Sequence, residues 1–231
     1  DELLAAVFAL GAKPTGSYDP FGLRRAALGV VSILREHPRL EPVTLERGLS
    51  EAAERLRAQG VEVPPDVVDS VVEFVVGRYV QQLLNEGADY GLVEAVRPGA
   101  GAPWAAYQTL RALPGYAADP GFRALVTAVQ RVARILPPGT AARIEPSLLT
   151  EPAERALIDA VEKVGAAGPR DLAGFAEHGQ QLVEPINTFF DDILVMTDDA
   201  DVRQARLGLL AAVLELAPST IDWQALDSAL Q

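Results

Sequence analysis

Apolar residues return along this chain at intervals of three and four, the spacing that lines one face of an α-helix. The clearest run lies between Asp66 and Glu86, where Val68, Val71, Val72, Val75, Val76, Tyr79, Val80, Leu83 and Leu84 share a stripe. Many of these are β-branched, so here periodicity outweighs intrinsic propensity. Punctuation predicts the neighbouring elements. Asp1–Leu10 reads as a short helix closed by Gly11, followed by a turn-rich loop over 11–19. Asp19 is an N-cap candidate with Pro20 at the first helical position, and Pro38 lies just past the end of that helix. Thr44 caps a third helix that stops at Gly60, and a short one spans Tyr90–Val96. The run RPGAGAP, 97–103, interrupts regular structure and is the expected domain boundary. Beyond it, helices are expected at Trp104–Leu113, Asp119–Leu136, Glu151–Val164, Arg170–Glu177, Leu182–Met196, Asp199–Leu216 and Asp222–Leu230, with Pro185 in the first turn of its helix or at a kink. No solenoid-like repeat and no low-complexity tract is present.

Composition agrees with an all-α, two-part helical bundle. Of 231 residues, 49% are hydrophobic, enough to bury a core, and Leu, Ala, Val, Arg and Glu dominate over strand-favouring aromatic residues. Cysteine is absent, which removes disulfides and thiolate metal sites and fits a cytoplasmic protein. No run approaches the roughly 20 apolar residues of a membrane span, and DELLAAVFAL lacks the basic region of a secretory signal. The chain opens at Asp1, already inside a helical pattern, so a piece of a longer protein is expected.

Charge sharpens this picture. The net charge of −12 argues against an indiscriminate nucleic-acid binder. Yet between Ala95 and Ile144 the bases Arg97, Arg111, Arg123, Arg131, Arg134 and Arg143 face one acid, Asp119, a local +5 that leaves −17 for the rest. On the helix predicted from Asp119, Phe122, Leu125, Val126, Val129, Val132, Ala133 and Leu136 form the apolar stripe, while Arg123, Thr127, Gln130, Arg131 and Arg134 fall largely opposite. Trp104, Tyr107, Tyr116 and Phe122 are interleaved with these arginines, and rings with guanidinium planes are a usual means of stacking unpaired bases. Two readings stay open: an RNA-binding face, or core aromatics beside a solvated helix face. Arg24 and Arg25, near Lys13, and the i, i+3 pair Arg203 and Arg206 carry the same ambiguity, with Asp199 placed to pair with Arg203.

Chemistry of the catalytic kind is missing. The histidines are His37 and His178, and neither belongs to a His-Asp dipeptide, an H-E-x-x-H helix or a metal cluster. There is no Walker A loop, no G-x-G-x-x-G and no G-x-S-x-G elbow. Asp191, Asp192, Asp198 and Asp199 fit a solvated face and an N-cap better than a divalent-cation site. No independent catalytic residue, metal or cofactor is expected in this stretch.

Four segments resemble the β subunit of bacterial α2β2-type glycyl-tRNA synthetase. GAKPTGSYDPFGLRRAALGVV, 11–31, is similar to a signature in which a Gly/Pro loop precedes D-P-F-A-L-R-R-A-A, with Gly22 in place of the usual alanine. VVDSVVEFVVGRYVQQLLNEGADYGLVEAV, 67–96, and LLTEPAERALIDAVEK, 148–163, follow in order. INTFFDDILVMTDDADVRQARLGLLAAV, 186–213, resembles V-D-A-F-F-D-x-V-M-V-M and the R-x-N-R-L-x-L-L that follows it. Departures from the pattern include Val129, Gln130 and Arg134 in the segment 127–136, Asn187 for Asp, Ala205 for Asn, and the ending ELAPSTIDWQAL.

The resemblance implies residues 1–102 as the tail of an HD-like helical domain and 103–231 as a helical bundle similar to the DALR anticodon-binding domain. It implies a C-terminal part of a multisubunit ligase, with no membrane or DNA role. This part would position tRNA-Gly through its anticodon arm, while a partner α subunit glycylates it using ATP and Mg²⁺. The residues expected to touch tRNA are Arg123, Arg131, Arg134, Arg203, Arg206, Trp104 and Tyr107. Lys13, Arg24, Arg25 and Arg78 are expected at contacts with another domain, a subunit or RNA. The alternative is a structural module that docks the α subunit or the rest of β, with RNA bound elsewhere.

Overall fold

The computed structural model describes residues 2–15, 18–19, 21–168 and 171–226, and among these every regular element is helical. The α-helices are α1 (Glu2–Ala9), α2 (Leu23–Glu36), α3 (Leu45–Ala58), α4 (Val67–Asn85), α5 (Tyr90–Val96), α6 (Pro103–Ala117), α7 (Pro120–Ile135), α8 (Pro152–Ala166), α9 (Leu172–His178), α10 (Val183–Asp192) and α11 (Ala200–Leu216). None is long and apolar enough to cross a membrane.

Contacts divide the chain into two compact units, Asp1–Arg111 with Thr220–Asp222, and Ala112–Ser219 with Trp223–Gln231. In the first, α1 packs on α3 and α4, and α4 also receives α2 and α3. The fully buried line of α4 is strictly i, i+4, comprising Val67, Val71, Val75, Tyr79 and Leu83, while Val68, Val72, Val76, Val80 and Leu84 are half-buried beside it. In the second unit α7 and α8 each pack against both α10 and α11 around Phe122, Leu125, Leu157, Ile186, Phe189 and Leu209. Gly208 marks a close crossing in that core. Arg143 N donates to Gly208 O (3.2 Å), and a Cβ at 208 would stand 2.5 Å from the Arg143 carbonyl oxygen, so no side chain fits.

Several predicted boundaries move, each for a local reason. The second helix begins at Leu23 rather than Pro20, because Gly22 sits in the left-handed region (φ 65°, ψ 30°) and breaks the helical run. Asp19 still caps it, its carboxylate accepting from Leu23 N (2.8 Å) and Arg24 N (3.1 Å). Pro20 lies outside the described residues, as does Arg170, the predicted start of α9. Helix α9 instead begins after Asp171, which caps Gly174 N. Helix α6 passes through Pro114 to Ala117, where Arg123 Nη1 takes the carbonyls of Ala117 (2.8 Å) and Ala118 (3.2 Å). Helix α10 contains Pro185 in its first turn and ends at Asp192, not Met196. Ile193 is extended (φ −113°, ψ 123°) and the chain turns at Val195 and Met196, with Ile193 and Val195 buried and Leu194 and Met196 exposed. The expected last helix is absent as far as the chain is described. Trp223–Leu226 form turns, and 227–231 lie outside the described residues. Trp223 packs its ring against Phe175 (5.2 Å) and Phe122 (6.2 Å), with Nε1 donating to Pro218 O (3.2 Å).

Candidate nucleic-acid interface

Helix α7 displays the cationic face anticipated from its sequence. Asp119 caps it through Gly121 N (2.8 Å), Pro120 opens it, and Arg123, Thr127, Arg131 and Arg134 lie exposed along one side. Gln130 does not join them. It is buried, and its Nε2 donates to the Trp223 carbonyl (2.7 Å), satisfying a backbone group in the core. The i, i+4, i+8 spacing from Phe122 to Gln130 puts it on the apolar stripe, which the amide's polarity disguised in the sequence.

The exposed arginines differ in what they touch. Arg123 is partly engaged by the α6 carbonyls. Arg131 lies over the ring of Phe190 on α10 (4.5 Å to the centroid) and places Nη2 3.3 Å from Asp191 Oδ1. Both members of that ion pair are well exposed, 43% and 68%, so it contributes little to stability and remains available to a ligand. Arg134, a turn further on, is exposed and has no ion pair among the described residues. Phe190 and Asp191 were not picked out in the sequence as partners of α7. The readable signal was the F-F-D run, but its contact with α7 depends on the packing of α10.

Arg203 and Arg206 are structural instead. Arg203 does not pair with Asp199; its Nη1 donates to the carbonyl of Thr197 (2.6 Å). Asp199 is occupied as the N-cap of α11, accepting from Asp201 N and Val202 N. Arg206 Nε reaches the buried Glu154 (2.6 Å) and its Nη1 holds Leu194 O (2.9 Å). A guanidinium committed to a carboxylate with 1% exposure is not a surface cation.

The remaining expected contacts belong to the first unit. Trp104 is half-buried at the start of α6. Tyr107 is half-buried with Arg35 (4.9 Å) and Arg111 (5.9 Å) against its ring, so that ring is already engaged by cations. Lys13 lies over Phe8 (5.7 Å) and donates to Ser70 Oγ (3.2 Å). Arg25 is exposed and Arg24 half-buried, both beside Asp19. Arg78 is half-buried, and its buried Nε lacks a hydrogen-bond partner.

Arg35 anchors a polar cluster that the sequence did not flag. Its Nη1 forms a two-oxygen contact with Glu86 (2.7 and 3.0 Å), and Gln82 donates to the same carboxylate (2.9 Å). Desolvation pushes the Glu86 carboxyl upward, but the hydrogen bonds from Arg35 and Gln82 and the Arg35 charge outweigh it and leave it below the usual 4.5. A depressed folded value means that the pair stabilises the first unit above the ordinary carboxylate range, and that this contribution fades as pH falls through it. Glu86→Gln is therefore expected to flatten the acid limb of thermal stability between about pH 5 and pH 3. Melting curves with equal acid slopes for the two proteins would show that Glu86 plays no such part.

Comparison with known proteins adds context to this geometry. A family model described as glycyl-tRNA synthetase beta subunit matches residues 1–98, and one described as DALR anticodon binding domain matches residues 125–227. The glycine–tRNA ligase beta subunits of Magnetococcus marinus, Citrobacter koseri and Geobacter metallireducens are 34%, 35% and 31% identical. Each alignment covers 96% of this chain and 33% of the relative, so the chain spans a third of the length of the curated proteins it matches.

Proposed function

This chain belongs to the glycyl-tRNA synthetase β-subunit family, and from that premise we propose that it is the tRNA-binding, C-terminal portion of such a subunit. In this reading the second unit holds the anticodon arm of tRNA-Gly. A separate α subunit, to which glycine, ATP and Mg²⁺ belong, carries out glycylation in the cytoplasm. The observation that carries the reading is the α7 face: exposed Arg131 and Arg134, with Arg131 laid over Phe190, inside the stretch that matches an anticodon-binding model. Guanidinium groups neutralise phosphate, and a ring with a guanidinium plane offers a base a stacking surface. Arg123 adds charge at the start of the same face, whereas Arg203 and Arg206 drop out because the fold uses them internally.

A salt-titrated binding assay tests this directly, comparing tRNA-Gly with the same tRNA carrying altered anticodon bases. Tighter binding to the native anticodon, with affinity falling steeply as salt rises, is the expected outcome. Equal binding to both, or none, would favour the assembly module that docks a partner subunit and leaves RNA to the rest of the protein.

A further inference from the structure

Resting on the reading of this chain as the C-terminal portion of a β subunit, we propose that the apolar cleft between α1, α2 and α3 seats a helix from the part of the subunit that precedes α1. The cleft has a volume of about 160 Å³ and opens to solvent. Its walls are Leu4 of α1, Val30 and Leu34 of α2, Val43, and Leu45 and Leu49 of α3. The hydroxyl in the wall, Thr44 Oγ1, is already the cap of α3 and accepts from Arg47 N (3.2 Å). A polar metabolite needs several convergent donors and acceptors, and among the described residues none is aimed into this space. An apolar side chain fits it instead, since an apolar-lined cavity of roughly 150 Å³ holds a benzene-sized group.

The apolar surface continues outward along α2. Ala26, Gly29 and Ile33 lie at i, i+3 and i+7, outside the buried line of Leu23, Ala27 and Val31, and Ile33 is 56% exposed. Gly48 of α3 lies in the cleft wall, and a Cβ there, as at Gly29, would meet nothing within 4 Å. Glycine inside a helix is destabilising relative to alanine. Two such residues facing open space on helices that flank one cleft are accounted for if a second backbone comes close. The walls are helices whose backbone groups are already paired, so an extended occupant would leave its own groups unpaired, whereas a helix satisfies them internally. Charge at the mouth points to a tethered occupant. Glu2, Arg47, Glu51 and Arg55 line the adjoining end, where Arg55 pairs with both Glu51 (3.1 Å) and Glu2 (3.7 Å). These charges largely cancel and offer little field to draw in a separate charged partner. A segment covalently joined to α1 needs no such steering, because its effective concentration is high. Glu2 and Leu4 belong to the first turn of α1, so polypeptide entering that helix arrives at the edge of the cleft. The relatives supply the length: this chain spans 33% of each, and the reading above places the remainder ahead of α1.

The test uses the full-length β subunit, alone and assembled with its partner subunit. A photoreactive phenylalanine analogue replaces Ile33, and the cross-linked peptides are mapped by mass spectrometry. The expected product joins position 33 to a peptide ahead of α1 in the same molecule, at any protein concentration and without the partner. Gly48→Leu should reduce that product by about fivefold or more, because the added side chain fills the cleft. The fold should survive the change, since a Cβ at 48 touches nothing in this unit. A product that requires the partner subunit, or one that grows with concentration and joins two copies of β, overturns the proposal and identifies a different occupant. A link to residues within this chain, or no product at all, overturns it too. So does an undiminished product in Gly48→Leu, which would put the segment on α2 outside the cleft. Binding of tRNA-Gly is measured on the same preparations. No tRNA binding with the cross-link formed removes the tRNA-binding reading alone, and tRNA binding without the cross-link removes this inference alone.

Discussion

Glu154→Ala is expected to destabilise the second unit by about 3–5 kcal/mol, the usual loss when one partner of a buried ion pair is removed. Glu154 is fully buried and each of its oxygens has a task. One accepts from Arg206 Nε at 2.6 Å and the other from Glu151 N at 2.9 Å, closing a capping box at the start of α8. Alanine would leave the Arg206 side chain, 13% exposed, as an unpaired buried cation, and would release an N-terminal amide of α8. The same arginine pins Leu194 O, so the segment after α10 should loosen too. Denaturant unfolding followed through Trp223, which packs in this unit on Phe175, reports the loss. The double replacement Glu154→Leu with Arg206→Met should recover a large part of it, because removing both charges abolishes the desolvation cost. A single-variant loss below about 1 kcal/mol would mean that the pair behaves as a solvent-screened one.

The second large effect concerns RNA. Replacing Arg131 and Arg134 together by alanine is expected to weaken tRNA binding about tenfold or more near physiological salt. The slope of log affinity against log salt should become shallower by roughly 1.5, since each lost phosphate contact removes about 0.7–0.9. Both side chains are exposed and neither fills the core, so the fold should survive and the melting temperature move little. Arg206→Ala serves as the contrast: it should lower stability sharply and leave the salt slope of the remaining folded protein unchanged, because its charge is spent on Glu154. An unaltered slope in the double variant would remove α7 from the RNA-binding surface.

The positions where reading the sequence and folding the chain part company share a physical origin. Gln130 and Arg206 are polar side chains that the core uses, one for a carbonyl and one for a carboxylate. Both partners, Trp223 and Glu154, are remote in sequence. Charge-counting treats such residues as surface by default, since burial of a polar group is favourable only when a partner is present. The segment 193–196 misleads in the opposite way. Four apolar residues in a row suit a buried helix or an extended strand equally; in the structure the chain leaves the helix at Ile193 and turns at Val195 and Met196, with Arg206 holding the Leu194 carbonyl.

What the sequence alone determined was therefore local and periodic. It specified the helical class, the caps at Asp19, Thr44 and Asp199, the arginine-rich character of α7, and the resemblance carried by the four motifs. Such features depend on neighbours three or four residues away, whose energies do not need the rest of the chain. Only the tertiary structure decided which arginines remain available. It laid Arg131 on Phe190 beside Asp191, buried Arg206 against Glu154, and set Arg35 between Glu86 and Tyr107. These partners stand dozens of residues apart, and a charge is free or spent according to what the packing of distant helices puts within about 4 Å of it.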